Sequence, residues 1–498
     1  MDSPGTDRDE SRRELGRRGA LAIRAPAGRA AAAETAAGDP ALPGRDGGRW
    51  RLRLLGGDQL GFAQVAALAL AMHLAAFWFI ATYLSVTFDT SDLAVYFSYG
   101  QRMVGGLVPY RDFVMEYPPL AAPLFWLPAR FARDLAAYEH AFLLEVIAFD
   151  LAGVGAALWA LRRFAPRLSA WGILLAQPLW LIAIGRGLAF TRFDLAPAAL
   201  VLLALVLFAL RHERWAWGVL GLATALKLYP AVLAPLFVIA RWRRRAWRQA
   251  AGDALVFAAA ILLPSLAVTR GHPSALAVFF TYHLDRGLEI ETVSASLLMA
   301  LHLVGYPVSW TIGHNAAELV APQAPLFAAL ALPLTVVALG VVYVVAWRRE
   351  PALGAPPDPA RRFDWLVRLS AAALLAFMLA GKVLSPQYLL WLYPLAAVLT
   401  GRRTVAWWAL FLVALALGHW IYPLHWVELV SFQPPAIAAL IARNGILLIL
   451  GAMLLAPRAS TEARAAAAKT SSPAGRAAAV AFARAMMTDR QGRDGGQR

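Results

Sequence analysis

Two aspartates three residues apart, Asp89 and Asp92, stand just beyond the first long apolar segment, within FDTSDLAVYFSYGQRMVGGLVPYRDFVMEYPPL (88–120). If that stretch begins helically, they share one face. A carboxylate placed there can act as general base toward an attacking hydroxyl. The competing role is a helix cap or a solvated loop acid. The same stretch carries Asp112, Glu116 and Tyr117, able to bind ligand hydroxyls, and Arg102 and Arg111, with which the two acids can pair instead.

Three further polar groups fall at the ends of apolar segments. Arg192 and Asp194 lie two apart, so on a helix each addresses a different partner. An arginine suits bidentate phosphate binding, although interfacial snorkelling explains it equally well. In YHLDRGLEIE (282–291), His283 and Arg286 have the spacing to clamp one phosphate, against the alternative of a solvated loop. In GKVLSPQYLLWLYP (381–394), Lys382 precedes a proline-broken helix start opened by Gln387 and Tyr388. Lysine is scarce, with only Lys227, Lys382 and Lys469 among 47 basic residues. Lys227 sits inside an apolar stretch, where ionisable groups carry a functional expectation. Glu145 and Asp150, in the second span, can pair with it or with arginines instead. His73, in the first apolar span, reads as a packing residue. There is no HExxH, glycine-rich phosphate loop or GxSxG. The sequence thus requires no metal or cofactor, and a divalent ion at the loop carboxylates is left open.

The elements that hold these groups are set by composition. The chain has 498 residues, of which 60% are hydrophobic and 16% charged, against roughly 25% charged in soluble proteins. Apolar runs of about 20 residues recur, which indicates an all-α polytopic membrane protein. The net charge of +16 is spread over the tails and short loops as the positive-inside rule expects. Nucleic-acid binding is disfavoured, since no basic domain with interleaved aromatics occurs. Cysteine is absent, so disulfides and thiolate sites are excluded.

The charge rule gives ten full spans plus a broken pair, twelve if its halves are counted. Residues 1–55 and 458–498 read as disordered cytoplasmic tails, with 56–457 as the membrane domain. Loops 87–139 and 269–292 fall outside, and 123–131 reads as an interfacial helix. Residues 215–240, interrupted at Lys227–Pro230, read as a re-entrant or short helix pair, which keeps the basic run RWRRRAWR (241–248) inside. The last four spans are expected at about 365–381, 387–400, 404–418 and 435–456, and residues 293–324 are ambiguous. No inverted repeat of the transporter kind is visible.

The blocks SDLAVY, GGLVPYRDFVMEYPPL, TRFDLAPA, LGLATALKLYPAVLAP, YHLDRGLEIET and SPQYLLWLYP together resemble, in order, the polyprenol-phosphate-dependent mannosyltransferases of glycosyltransferase family 87. The resemblance implies a GT-C fold in a bacterial plasma membrane, with a catalytic carboxylate in the first extracytoplasmic loop. It implies a polyprenyl-phosphate sugar donor, typically mannose, attacked with inversion by an envelope lipid or glycan acceptor. The family's loop acid maps onto Asp92, with Asp89 as fallback. Arg192, His283, Arg286 and Lys382 become candidates for the donor phosphate. Asp112, Glu116, Tyr117, Asp194, Gln387 and Tyr388 become candidates for sugar or acceptor contacts, and Lys227 for a structural or lipid-carrier role. Transfer of another lipid-phosphate sugar, such as arabinofuranose, is the alternative; a non-catalytic transporter is the remoter one.

Overall fold

A computed structural model describes residues 51–53, 59–84, 91–164, 167–242, 247–272, 281, 284–350 and 358–457. Asp89, His283 and the stretches 1–50 and 458–498 lie outside the described residues.

Seven described helices are long and apolar enough to cross a membrane: Phe62–Tyr83, Leu135–Phe164, Arg248–Val268, Ala324–Arg349, Pro359–Ala380, Thr404–Leu424 and Pro434–Leu455. Their leucine, alanine and valine content explains the choice, because a lipid-embedded backbone must satisfy its own hydrogen bonds. In chain order α1 is Phe62–Tyr83, α2 Ser91–Val104, α3 Ala122–Ala129 and α4 Leu135–Phe164. A helical run with a π-turn at Gly172–Ala176 follows, made of α5 (Arg167–Trp171) and α6 (Gln177–Ile184). Then come α7 (Arg186–Ala189), α8 (Leu195–Ala209), α9 (Glu213–Leu226), α10 (Ala234–Trp242) and α11 (Trp247–Val268). Next, α12 (Val293–His302) precedes α13 (Ala324–Arg349) and α14 (Pro359–Ala380). The chain closes with α15 (Tyr393–Ala397), α16 (Thr404–His419), α17 (Trp426–Val430) and α18 (Pro434–Leu455).

The α8 and α9 pair is the inner scaffold: α9 packs on α11, and α8 lies against α4. Twelve of the fifteen α8 residues are buried, which fits a helix apolar all round. The break expected at Lys227–Pro230 is present. Helix α9 ends at Leu226, Lys227 is extended (φ −156°, ψ 138°), and a 3₁₀ turn at Tyr229–Leu233 leads into α10.

One expectation needs correction, and one stretch left open gains a structure. The stretch 387–400 is not one span, because Pro386 and Pro394 divide it into a 3₁₀ stretch, Pro386–Trp391, and the five-residue α15. Each proline withholds an N–H and crowds the preceding turn. Residues 293–324 are partly strand: Ser309–Gly313 (β3) and Ala316–Val320 (β4) form an antiparallel hairpin. Its turn places His314 and Asn315 at positive φ (50° and 55°), a conformation histidine and asparagine tolerate better than most residues. A second short pair joins Arg51–Arg53 (β1), at the end of the stretch read as a tail, to Gln59–Gly61 (β2), just past it.

Most buried apolar residues form one large cluster through the helices. A smaller one joins α12, β4 and α18 through Met299, Leu319, Ile437 and Leu440, and takes in Leu288 and Ile290 of the preceding loop.

Candidate active site

Helix α2 carries Asp92 in its first turn, where the helix dipole favours a carboxylate. Close packing on α3 fixes it in place. A Cβ built on Gly100 would come within 2.4 Å of the Phe125 carbonyl oxygen, so only glycine fits that crossing. Tyr96 stacks on Phe125 at 4.2 Å between centroids and meets Tyr117 and Phe193 edge-on. Its hydroxyl donates to Asp92 Oδ2 at 3.4 Å. Burial first, then the Asp92 charge, pushes the Tyr96 and Tyr117 hydroxyls well above the ordinary phenol value. Both therefore stay neutral.

Asp92 also forms an ion pair with Arg192, Oδ2 to Nε 2.9 Å. The side chains differ in access: Arg192 is 6% exposed and Asp92 26%. The guanidinium is thus held inside while the carboxylate faces outward. Arg192 Nη1 further donates to Thr191 Oγ1 at 2.8 Å and Thr191 O at 3.2 Å.

Two residues on, Asp194 begins α8 without a side-chain cap bond. Its Oδ1 accepts instead from Lys227 Nζ at 2.6 Å and from Trp391 Nε1 at 2.5 Å. The other oxygen, Oδ2, is buried with no hydrogen-bond donor among the described residues. Arg192 and Asp194 therefore take different partners. Lys227 lies 5.0 Å from the Phe193 ring centroid and within 6 Å of Tyr388 and Trp391, inside the range of cation–π attraction. Trp391 is sandwiched between Tyr229 and Tyr388, each stacked at 4.0 Å. The Tyr229 hydroxyl is buried without a partner among the described residues.

The loop before α12 completes the arrangement. Arg286 reaches the Tyr388 hydroxyl, which also feels Glu289 and Asp194. Gln387, just before Tyr388 in the chain, is half-buried. Lys382 Nζ donates to the carbonyls of Leu284 (2.7 Å) and Arg286 (2.6 Å). Burial and the neighbouring Arg286 hold its pKa below the ordinary lysine value. Glu289 ties the loop back to the same segment, accepting from Leu384 N (2.5 Å) and Ser385 Oγ (2.6 Å). Glu291, buried on the other side, pairs with Arg443 of α18.

Asp112 and Glu116 lie in the link between α2 and α3, and the structure gives each a protein partner. Asp112 accepts from Arg111 at 2.8 and 2.7 Å and from Val108 N at 2.7 Å. Arg111 first, then that backbone bond, lowers its carboxyl to about 2. Glu116 Oε2 accepts from Asn315 Nδ2 of the hairpin tip at 3.1 Å. Asp150 does not meet Lys227. It pairs with His73, Oδ2 to Nδ1 2.7 Å, at full burial, with the Tyr393 hydroxyl 3.5 Å from the same nitrogen. Among the described residues, no group of three His, Asp or Glu side chains is placed to hold a metal ion.

Sequence reading did not single out Tyr96, Tyr229, Trp391 or Asn315. Trp391 and Tyr229 stand in the quoted blocks around Tyr388 and Lys227, so nearness to those motifs was the signal available.

This constellation pairs a half-open carboxylate with a buried guanidinium, beside a second acid–cation pair walled by aromatic rings. It suits proton removal from a hydroxyl next to a developing anion. No curated protein matches the chain. The model of Glycosyltransferase family 87 matches residues 113–367, a little over half of its length. That span covers Arg192, Asp194, Lys227 and Arg286, and together with the helical fold it establishes that the chain belongs to glycosyltransferase family 87 and is a membrane glycosyltransferase.

Proposed function

We propose that the protein transfers a sugar, with mannose as the first candidate, from a polyprenyl-phosphate donor to a lipid or glycan acceptor, inverting the anomeric centre. The observation that carries this reading is Asp92, outward-facing and paired at 2.9 Å with buried Arg192. Asp92 takes the proton of the acceptor hydroxyl as its oxygen bonds the anomeric carbon. The bond from that carbon to the phosphate oxygen breaks, and polyprenyl phosphate leaves with the electron pair. Charge grows on the leaving phosphate, so cations fixed beforehand contribute most. Arg192, Arg286 and Lys227 are the side chains proposed for it. Lys382, donating to two loop carbonyls, positions Arg286. Asp194 Oδ2, an orphan buried acceptor, is suited to a sugar hydroxyl, and the Tyr388, Tyr117 and Phe193 rings supply stacking faces.

We assign the site to the extracytoplasmic side of a bacterial plasma membrane. The support is charge: α4 and α13 end in Arg162, Arg163 and in Arg348, Arg349, at the opposite end of α4 from the one joined to α3 and the Asp92 loop.

Purified protein is incubated with labelled polyprenyl phosphates bearing mannose or arabinofuranose and with envelope acceptors. Mannose transfer is expected, with Asp92→Asn reducing it by 10²–10⁴-fold, roughly the range for general-base loss, while the protein still folds, at a lowered melting temperature because Arg192 is left buried without its counter-charge. Transfer from arabinofuranose alone overturns the sugar; wild-type turnover by Asp92→Asn overturns the base.

A further inference from the structure

Helix α8 starts at the site, at Asp194, and ends beside Arg211; α9 returns from Glu213 to Lys227. The fifteen residues of α8 place its far end about 22 Å away. At that end a cavity of about 470 Å³ is lined by Arg211, His212, Glu213, Arg214, Trp215, Arg241, Gln249 and Asp253. None of these groups is used by the proposed reaction.

The two acids in the cavity are already engaged. Glu213 meets Arg241 at 2.6 Å and the buried Arg362 at 2.5 Å, and Asp253 meets Arg241 at 2.5 Å. Gln249 Oε1 accepts from Arg241 as well, at 3.0 Å. Arg211 and Arg214 are exposed, and no side-chain partner for either is found among the described residues. The two thus present cationic donors to an opening whose floor is neutralised. Arg211 also occupies the position just past the Leu210 cap of α8 with φ 68°, where Arg211 N bonds Phe208 O and His212 N bonds Leu207 O. Glycine is the usual occupant of such a helix end, so an arginine there is an unusual choice that aims its side chain at the cavity.

The level of the cavity identifies the occupant. Trp215 on its rim is 74% exposed, and Trp242, next to Arg241, is 59% exposed. Exposed indoles at the ends of apolar helices mark the boundary between headgroups and acyl chains. Two residues past Asp253, α11 turns apolar outward at Leu255, followed by Leu262 and Leu263. The cavity therefore lies where a bilayer presents its phosphates. We propose that it binds the phosphate of an anionic glycerophospholipid through Arg211 and Arg214, in the leaflet opposite the Asp92 site.

Native mass spectrometry of the full chain in detergent, titrated with phosphatidylglycerol or phosphatidylcholine, tests this. Wild type is expected to retain the anionic lipid on the order of tenfold better than the zwitterion, as two headgroup-facing arginines imply. R211Q/R214Q is expected to lose that preference, and R211K/R214K to recover most of it. Unaltered glycosyl transfer and melting temperature in the glutamine variant control for folding. Equal retention of both lipids by wild type overturns the proposal, as does an undiminished preference in R211Q/R214Q. A third arm uses inorganic phosphate alone. If it stabilises wild type as much as phosphatidylglycerol does, the site belongs to a soluble anion and the lipid assignment fails.

Discussion

Lys227 and Asp194, 33 positions apart in the chain, meet at 2.6 Å between Nζ and Oδ1, with Asp194 fully buried and Lys227 16% exposed. The contact joins the broken end of α9 to the start of α8, two helices that also pack along their length. Lys227 is thereby held beside Asp194, the neighbour of the Asp92–Arg192 pair, over three aromatic rings of the candidate site.

Removing one member of this pair leaves the other charge buried and uncompensated, which costs about 3 kcal/mol or more. Lys227→Met and Asp194→Asn should each lower the melting temperature, and the double variant should lose less than their sum. Strictly additive losses in a thermal melt would show that the pair does not act as a unit.

Trp391→Phe keeps a ring between Tyr229 and Tyr388 but removes the N–H that reaches Asp194. A hydrogen bond to a charged group contributes about 1.5–3 kcal/mol. Steady-state kinetics should show a raised KM for the proposed polyprenyl-phosphate donor, since Asp194, the partner of Lys227, loses a fixed donor. An unchanged KM would detach Trp391 from donor binding.

Gly100→Ala brings a Cβ to 2.4 Å from the Phe125 carbonyl oxygen, so α2 must move off α3. Asp92 moves with α2. Transfer should fall by about 10²-fold, the scale for a displacement of an ångström at a reacting group. Retention of full activity would mean that α2 does not fix the carboxylate.

Asp112 gives a pH signature. Its folded carboxyl sits near 2, lowered by Arg111 and Val108 N, below an unfolded value of about 4. A depressed carboxyl contributes stability above its unfolded pKa and loses it as pH falls through the folded one. The difference in melting temperature between wild type and Asp112→Asn should be constant from about pH 5 to 7 and shrink below about pH 4. A difference growing on acidification would reverse the assignment.

Several features were legible in the chain for identifiable reasons. The break at Lys227–Pro230 followed from a proline and from the basic run after it, which a single span would have placed on the wrong side. The stretch 387–400 was misread because apolar composition does not separate a membrane helix from a 3₁₀ segment, although Pro386 and Pro394 were visible. The hairpin of residues 309–320 offered only ten strand residues around a His–Asn turn, too few for periodicity to outweigh the apolar flanks. Partners were the least legible. Asp92 and Arg192 are 100 positions apart, Glu116 and Asn315 are 199 apart, and Asp150 turned to His73 rather than to Lys227. Spacing shows which groups are costly to bury, whereas the fold decides which of them meet.

The pairing of Asp92 with Arg192 and of Asp194 with Lys227 also bears on how a substrate arrives. Two acids and two cations cancel, so this part of the site projects little field into the surroundings. Long-range steering, which raises encounter rates and decays with ionic strength, then has little to act on. A phosphate-bearing donor of the kind proposed would be captured at contact, by exchanging partners within the pairs, after lateral diffusion in the bilayer. The apparent association rate should therefore be nearly flat between low and high salt, unlike that of enzymes with an open cationic funnel.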